Sequence, residues 1–255
     1  GRPPVETVGT WAPLVGEDTV RPAPKRRCRG QRKRLAPPET ASNKKNHFIE
    51  VQRGSDGFVW AMIHSGSRNV GWQVADHYMK VAKLLNERPG RPHIVPPSWE
   101  LETLAIEDKE GQAYLREMNW SLEFALLNRK VMMDLVKESI LLAVPGTTFD
   151  REVNIHHNFA ILEEYEGEKL WVHRKGATQA FSGQLGIIPG AQGCHSYIVE
   201  GLGNPESFNS CSHGAGRKMS RAQARKKLSL ADEVKRMEEA GVVHSLEDEG
   251  DLDEA

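Results

Sequence analysis

Cysteine is scarce in this sequence: Cys28, Cys194 and Cys211 are the only three in 255 residues. They form no framework pattern, and an odd count argues against a secreted scaffold stapled by disulfides. Also absent is any apolar run long enough to span a bilayer. The first residues contain no apolar segment of a secretory signal, so the expected setting is the cytoplasm, away from membranes. Neither sign of charge dominates, since the formal net charge is −1. That balance hides an asymmetry. Residues 25–34 carry Lys or Arg at seven positions and no acid, whereas residues 247–254 carry six carboxylates. The basic run has affinity for RNA phosphates but reads first as a solvated tail, and the acidic end would repel RNA and stay solvated.

With 38% hydrophobic and 27% charged residues, the chain can bury one large core or two small ones. Pro-rich stretches at Pro3-Pro4, residues 22–24 and Pro37-Pro38 mark residues 1–42 as an irregular leader. The folded part begins near residue 43 and runs to about 240, ahead of an acidic tail over 241–255. A helical rhythm covers 70–85 and ends before Pro89; a second, stronger one covers 110–144. The second has an apolar face that includes Leu115, Met118, Leu122, Ala125, Leu126, Met132, Met133, Leu135, Val136 and Ile140, and Pro145-Gly146 stop it. Strands are expected at 153–162, 169–174 and 196–201, and a charged helix at 221–240. The economical fold is a mixed α/β (α+β) single domain with a long helical insertion between two strand-rich parts.

The segment Asn209-Ser210-Cys211-Ser212-His213-Gly214-Ala215-Gly216-Arg217 carries the strongest chemical signal. Small residues around His213 let a phosphate approach the imidazole while backbone N–H groups and arginines hold its oxygens. That arrangement suits a nucleophilic histidine, although a Gly-flanked histidine also caps turns. Three other histidine segments precede it. Asn46-His47-Phe48-Ile49-Glu50 reads as a strand with His47 and Ile49 on one side, and Phe48 and Glu50 on the other. An apolar run over 59–63 ends in His64-Ser65-Gly66-Ser67-Arg68, and Asn154-Ile155-His156-His157-Asn158-Phe159 follows the helices. Histidines at strand ends beside small and amide residues are placed as metal ligands are, with the amides able to fix the tautomer. His77, His93, His173 and His244 read as ordinary surface or core residues, and His156 and His195 stay open between the two readings.

Taken in order, Asn46-His47-Phe48-Ile49-Glu50, His64-Ser65-Gly66-Ser67-Arg68, His156-His157-Asn158, Arg174-Lys175-Gly176-Ala177-Thr178, Ile188-Pro189-Gly190-Ala191-Gln192-Gly193 with Ser196-Tyr197, and His213-Gly214-Ala215-Gly216-Arg217 resemble the motifs of the RtcB-type RNA ligases. The resemblance covers residues 43–230. It implies an RtcB-like catalytic fold and an enzyme that joins an RNA 2′,3′-cyclic phosphate or 3′-phosphate end to a 5′-hydroxyl end, as in tRNA splicing or RNA repair, with GTP and Mn²⁺ as cofactors. The partners so implied are RNA, as tRNA halves or broken ends, and GTP; a monomer is the favoured state.

Residue by residue, the resemblance implies that His213 is the nucleophile, which carries GMP as a phosphoramidate. His47, His64 and His157 match the metal ligands. Asn46, Asn158, Pro189, Gly190, Ala191, Gln192 and Ser196, with His157 and His213, Gly214, Ala215 and Gly216, match guanylate-binding positions, and Glu50 is a guanine partner. Arg68, Arg217 and Arg221 would grip RNA phosphates, a bidentate role that Lys fills less well. Arg174 and Lys175 carry either generic phosphate affinity or a structural ion pair.

There are departures too. The family's N-terminal Asp-x-x-Cys motif, which supplies a carboxylate and a bridging thiolate to the metals, has no match, because Cys28 lies in an arginine run without a nearby Asp. The family's C-terminal lysine near the guanine has no match either. The chain reads as a member shortened at both ends. Two functions stand from different classes: a GTP- and Mn-dependent RNA ligase, or a catalytically impaired fragment that binds nucleotide or RNA. A metal-dependent phosphoesterase fits the histidines but leaves the 189–193 turn and His213 without a role.

Overall fold

The computed structural model describes residues 13–15, 47–88, 101–214, 219–246 and 251–252, with the backbone alone at 13–15. Strands Pro13–Val15 (β1), Phe48–Arg53 (β2), Val59–His64 (β3) and Thr148–Phe149 (β4) form an antiparallel sheet in the order β2-β3-β1-β4. β1 lies within the stretch read as an irregular leader, and there it pairs with β3 and β4. The rest of that stretch lies outside the described residues, the basic run included.

β2 and β3 form a hairpin whose register runs from Phe48 opposite His64 to Arg53 opposite Val59. Asp56 shapes its turn by accepting from the Phe58 N–H and from the Trp60 indole. Alternation on β2 turns Phe48, Glu50 and Gln52 inward and leaves Ile49 and Val51 exposed, as a half-buried strand should. β3 is different, because both of its faces are covered. Trp60 and Met62 pack with Val153 and Ile187 on one side; Ala61 and Ile63 pack with Met133 on the other. Each large side chain so buried stabilises by about 1.5–3 kcal/mol.

The covering layer is the helical insertion, made of Val70–Asn86 (α1) and Lys109–Ala143 (α2). The Ser67 hydroxyl accepts from the Gly71 N–H and starts α1 directly after the β3 turn. Tyr78 of α1 donates to Glu117 of α2. On α2 the buried line runs through Met118, Ala125 and Met133, as the apolar rhythm predicts. Leu126 and Leu135, expected on that face, are exposed, and a charged residue, Arg129, is buried in the line instead.

The remaining strands pair in twos. Asn158–Tyr165 (β5) pairs with Glu168–Lys175 (β6), Ala177–Gln179 (β7) pairs with Ser210–Ser212 (β10), and Leu185–Ile188 (β8) pairs with Tyr197–Glu200 (β9). The strand expected from residue 153 starts only at Asn158. Val153 is drawn into the core and the Asn154 amide is bonded to Arg129, so that this approach leaves the β ladder. The mixed α/β fold, with two helices inserted between strand-rich parts, agrees with the sequence reading.

Arg174, left between two roles, is a structural residue. It is 3% exposed and forms a bidentate pair with Glu163 at 2.7 and 2.9 Å. It also donates to the Phe208 carbonyl and the Ser210 hydroxyl, tying β6 to the approach to β10. Burial pushes the Glu163 carboxyl up, but bonds from Arg174, Tyr165 and Gln179 outweigh it and leave the net shift downward.

One continuous terminal helix was expected. The structure has two, Arg221–Lys227 (α3) and Leu230–Glu239 (α4), with Leu228 in extended conformation between them. The Ser229 hydroxyl accepts from the Asp232 N–H and caps α4, while Asp232 and Glu233 complement its N-terminal dipole. The acidic end is not wholly solvated, since Leu252 is completely buried. Residues 247–250 and 253–255 lie outside the described residues.

Removing Arg174 should strand a buried carboxylate, so Arg174→Met is expected to cost about 3–5 kcal/mol in a urea unfolding measurement. A cost near zero would mean that the Glu163 pair does not hold β6 to β10.

Candidate active site

The β7/β10 register carries the site. Ser212 lies opposite Ala177, so the next residue on one strand, His213, meets the residue before the other, Gly176. The His213 Nδ1 lies 2.6 Å from the Gly176 carbonyl oxygen, which can only accept. Nδ1 therefore carries the proton, and in the neutral ring the lone pair sits on Nε2. The same residue reaches the other side of the site: the Gly176 N–H donates to the His157 carbonyl at 2.7 Å and to the Asn158 side chain at 3.0 Å. Gly176 has φ +65°, and a Cβ there would stand 2.8 Å from Cε1 of His213. Only glycine fits.

Three of the histidines come together. The His157 and His213 rings stack with centroids 4.8 Å apart and an interplanar angle of 10°, and His64 lies 5.2 Å from His157. His64 reaches this point from the end of the buried strand β3. Burial lowers the pKa of His157 to about 3, helped by the charges of His64, His213, Arg129 and His156. His156 goes to about 4, through burial and Arg129. His156 and His157 are therefore neutral at pH 7, the form of imidazole that binds a metal. The His64 and His157 spacing suits two rings that share one transition ion at about 2.1 Å from each nitrogen.

His47 is adjacent, because Phe48 pairs with His64, but its ring is hydrogen-bonded to the His64 backbone. Burial lowers its pKa, with Arg68 adding to the effect against that bond. Among the described residues, no three His, Cys, Asp or Glu side chains form a group that could hold a metal ion. Neither described cysteine lines the histidine cleft: Cys194 is exposed and Cys211 faces a separate cavity near Gln179 and Glu200.

Three of the guanylate candidates, Glu50, Gly190 and Ser196, fall into one network with a member that the sequence reading missed. The Gln52 amide donates to Glu50 at 2.6 Å and to the buried Ser196 hydroxyl at 3.4 Å, and that hydroxyl accepts from the Gly190 N–H. Burial raises the pKa of Glu50, against the Gln52 bond. The i+2 spacing from Glu50 on β2 was the signal that could have found Gln52. Pro189 lines the cleft with His64, His157 and His213. Ala191 is exposed, and Gln192 is held from the other side, by Arg236 of α4 through its carbonyl and by the Asp251 carbonyl through its amide.

Arg68 is exposed, with φ +51°, at the sharp turn after His64. Gly214 follows His213, and its N–H donates to Ser212. Asn46, Ala215, Gly216 and Arg217 lie outside the described residues; so does the Arg221 side chain, although Arg221 begins α3. His195 is exposed, and His156 packs near Phe159.

The structure is that of a mixed α/β protein in which His64, His157 and His213, drawn from segments distant in sequence, meet at one cleft. The model of the family described as tRNA-splicing ligase RtcB matches residues 31–255, and the chain belongs to that family. It is similar to the RNA-splicing ligase RtcB of Escherichia coli (strain K12), with 40% identity over 74% of this chain and 47% of that protein. The tRNA-splicing ligase RtcB of Thermococcus kodakarensis is 35% identical over 70% of this chain and 44% of its own length. That of Aeropyrum pernix is 31% identical over 93% and 55%. The chain thus spans about half the length of the curated relatives it matches. Among the described residues no helix is long and apolar enough to cross a membrane.

Two outcomes test this geometry. Gly176→Ala should push the His213 ring aside and cost at least about 1 kcal/mol from the positive φ alone; a crystal structure with His213 unmoved would contradict it. For His157 the folded value lies below the unfolded value of about 6.5. The unfolded chain therefore binds the extra proton, and stability is full above about pH 6.5 and falls as the pH drops towards 3. Urea titrations from pH 7.5 to 5 should show this decline, and His157→Gln should flatten it.

Proposed function

We propose that this chain carries the catalytic centre of a cytoplasmic RNA ligase that joins 2′,3′-cyclic phosphate or 3′-phosphate ends to 5′-hydroxyl ends by way of a GMP-histidine. Family membership and the printed names of the relatives support the ligase class. The observation that carries the mechanism is the bond from His213 Nδ1 to the Gly176 carbonyl, which leaves Nε2 free as a nucleophile. Nε2 attacks the α-phosphate of GTP; a P–N bond forms, the α–β P–O bond breaks and pyrophosphate leaves. GMP then passes to the RNA 3′-phosphate, the P–N bond breaks, and the activated phosphate receives the 5′-hydroxyl with loss of GMP.

Glu50 would offer acceptor oxygens to the guanine edge, and Gln52 and Ser196 set the position of Glu50 and of the Gly190 backbone. Arg68, with Arg217 and Arg221, would hold RNA phosphates. His64 and His157 fit a shared Mn²⁺, with His47 as a third ligand once its ring leaves the His64 backbone. Mn²⁺ bound there would supply charge neutralisation at the phosphoryl oxygens.

The absence of a three-ligand metal group among the described residues favours a second reading, a module that binds nucleotide or RNA without turnover. Incubation with α-labelled GTP and Mn²⁺ separates the two. The ligase reading expects an acid-labile label that is lost in His213→Ala. Acid-stable label, label that survives His213→Ala, or GTP binding with no covalent label would overturn it.

A further inference from the structure

Arg129 lies in the middle of α2 and is 6% exposed, and among the described residues no carboxylate pairs with its charge; burial pulls its pKa down to about 10. It remains a cation at neutral pH. Two of its three nitrogens are satisfied by neutral acceptors. Nε donates to the Asn154 side chain at 2.6 Å, and Nη1 donates to the Ser65 carbonyl at 3.2 Å. These two bonds fix the plane of the guanidinium, because the group is rigid. The third nitrogen, Nη2, is buried with no hydrogen-bond partner among the described residues. It belongs to a residue that lines the same cleft as His64, His157 and His213, and its charge is felt at His156 and His157.

A clamp between α2, the β3 turn and the approach to β5 accounts for Nε and Nη1. It does not account for Nη2, nor for a full positive charge in an interior without an anion. A leucine or methionine at this position of the buried line would pack without either cost, and glutamine could hold Asn154 and Ser65. What the environment lacks is a negatively charged acceptor, delivered from the cleft.

We propose that Arg129 forms a buried anion subsite in the histidine cleft, in which Nη2 donates to a non-bridging oxygen of a phosphate group brought beside His157 and His213. The inference rests on the phosphoryl-transfer reading of the cleft and adds to it a group from the helical insertion. The phosphate could come from a nucleotide or from an RNA 3′ end, since both present the same oxygens.

The test uses the full chain and reads binding, so that it is independent of label transfer. Inorganic phosphate, GMP and adenosine 3′-monophosphate are each titrated while the guanidinium NMR resonances of Arg129 in the unaltered protein are followed. Those resonances should shift with phosphate, and the nucleotide that shifts them at the lower concentration identifies the source. Arg129→Lys should weaken phosphate binding at least tenfold, because a point charge cannot hold Asn154, Ser65 and the anion together. Asn154→Ala, which breaks one arm of the clamp and keeps Nη2, should lower the melting temperature and weaken phosphate binding by less than Arg129→Lys does. Resonances unmoved at saturating phosphate, or equal phosphate affinity in a folded Arg129→Lys protein, would overturn the proposal. If Arg129→Lys does not fold, the unaltered protein's resonances decide alone. Phosphate binding that depends on Arg129 in a chain that never forms the histidine adduct would refute the ligase reading and leave the subsite standing.

Discussion

The structure depends on β3 being covered on both faces. A strand with one solvated face would tolerate movement at its end, but β3 has Trp60 and Met62 locked against Val153 and Ile187, and Ala61 and Ile63 locked against Met133. A close-packed environment of this kind leaves no room for the strand to slide, and a slip of one residue would exchange the two faces. His64 ends this strand, so its ring inherits that rigidity. The two helices inserted between the strand-rich halves are therefore what makes the histidine cleft firm.

A second constraint acts at one residue. Gly176 donates to His157 and Asn158 and accepts from His213, so it links two histidine segments that are 56 residues apart in sequence numbering, 157 and 213. The choice of glycine follows from φ +65° and from the nearness of the His213 ring, not from flexibility. Beside it, the buried Arg174 and Glu163 pair holds the strands whose register aligns Gly176 with His213. Charge in this part of the molecule serves alignment, whereas the charge on Arg129 faces the cleft.

The 189–193 turn illustrates how the C-terminal segments take part. Gly193 leaves just enough space for the Met237 sulfur, and Gln192 is bonded both to α4 and to Asp251. The buried Leu252 sits in a run of carboxylates that reads as tail. Short acidic segments with one apolar residue carry no periodicity, so nothing local distinguishes a docked segment from a solvated one. The same limitation hid the break between α3 and α4, where one serine cap outweighed a continuous charged helical pattern.

The sequence by itself determined the family resemblance, the mixed α/β class, the helical insertion within a residue or two, and His64, His157 and His213 as residues of chemical interest. Those depend on motif order and on periods of 2 and 3.6 residues, which are local properties. Only the tertiary structure decided that Arg174 is a structural ion pair, that Gln52 joins Glu50 to Ser196, and that His47 is held by the His64 backbone. It also placed Arg129 inside α2 where the apolar rhythm had put Leu126 and Leu135. Each of these is a contact between segments far apart in the chain, and which partner a side chain meets is set by packing, which no pattern along one segment encodes.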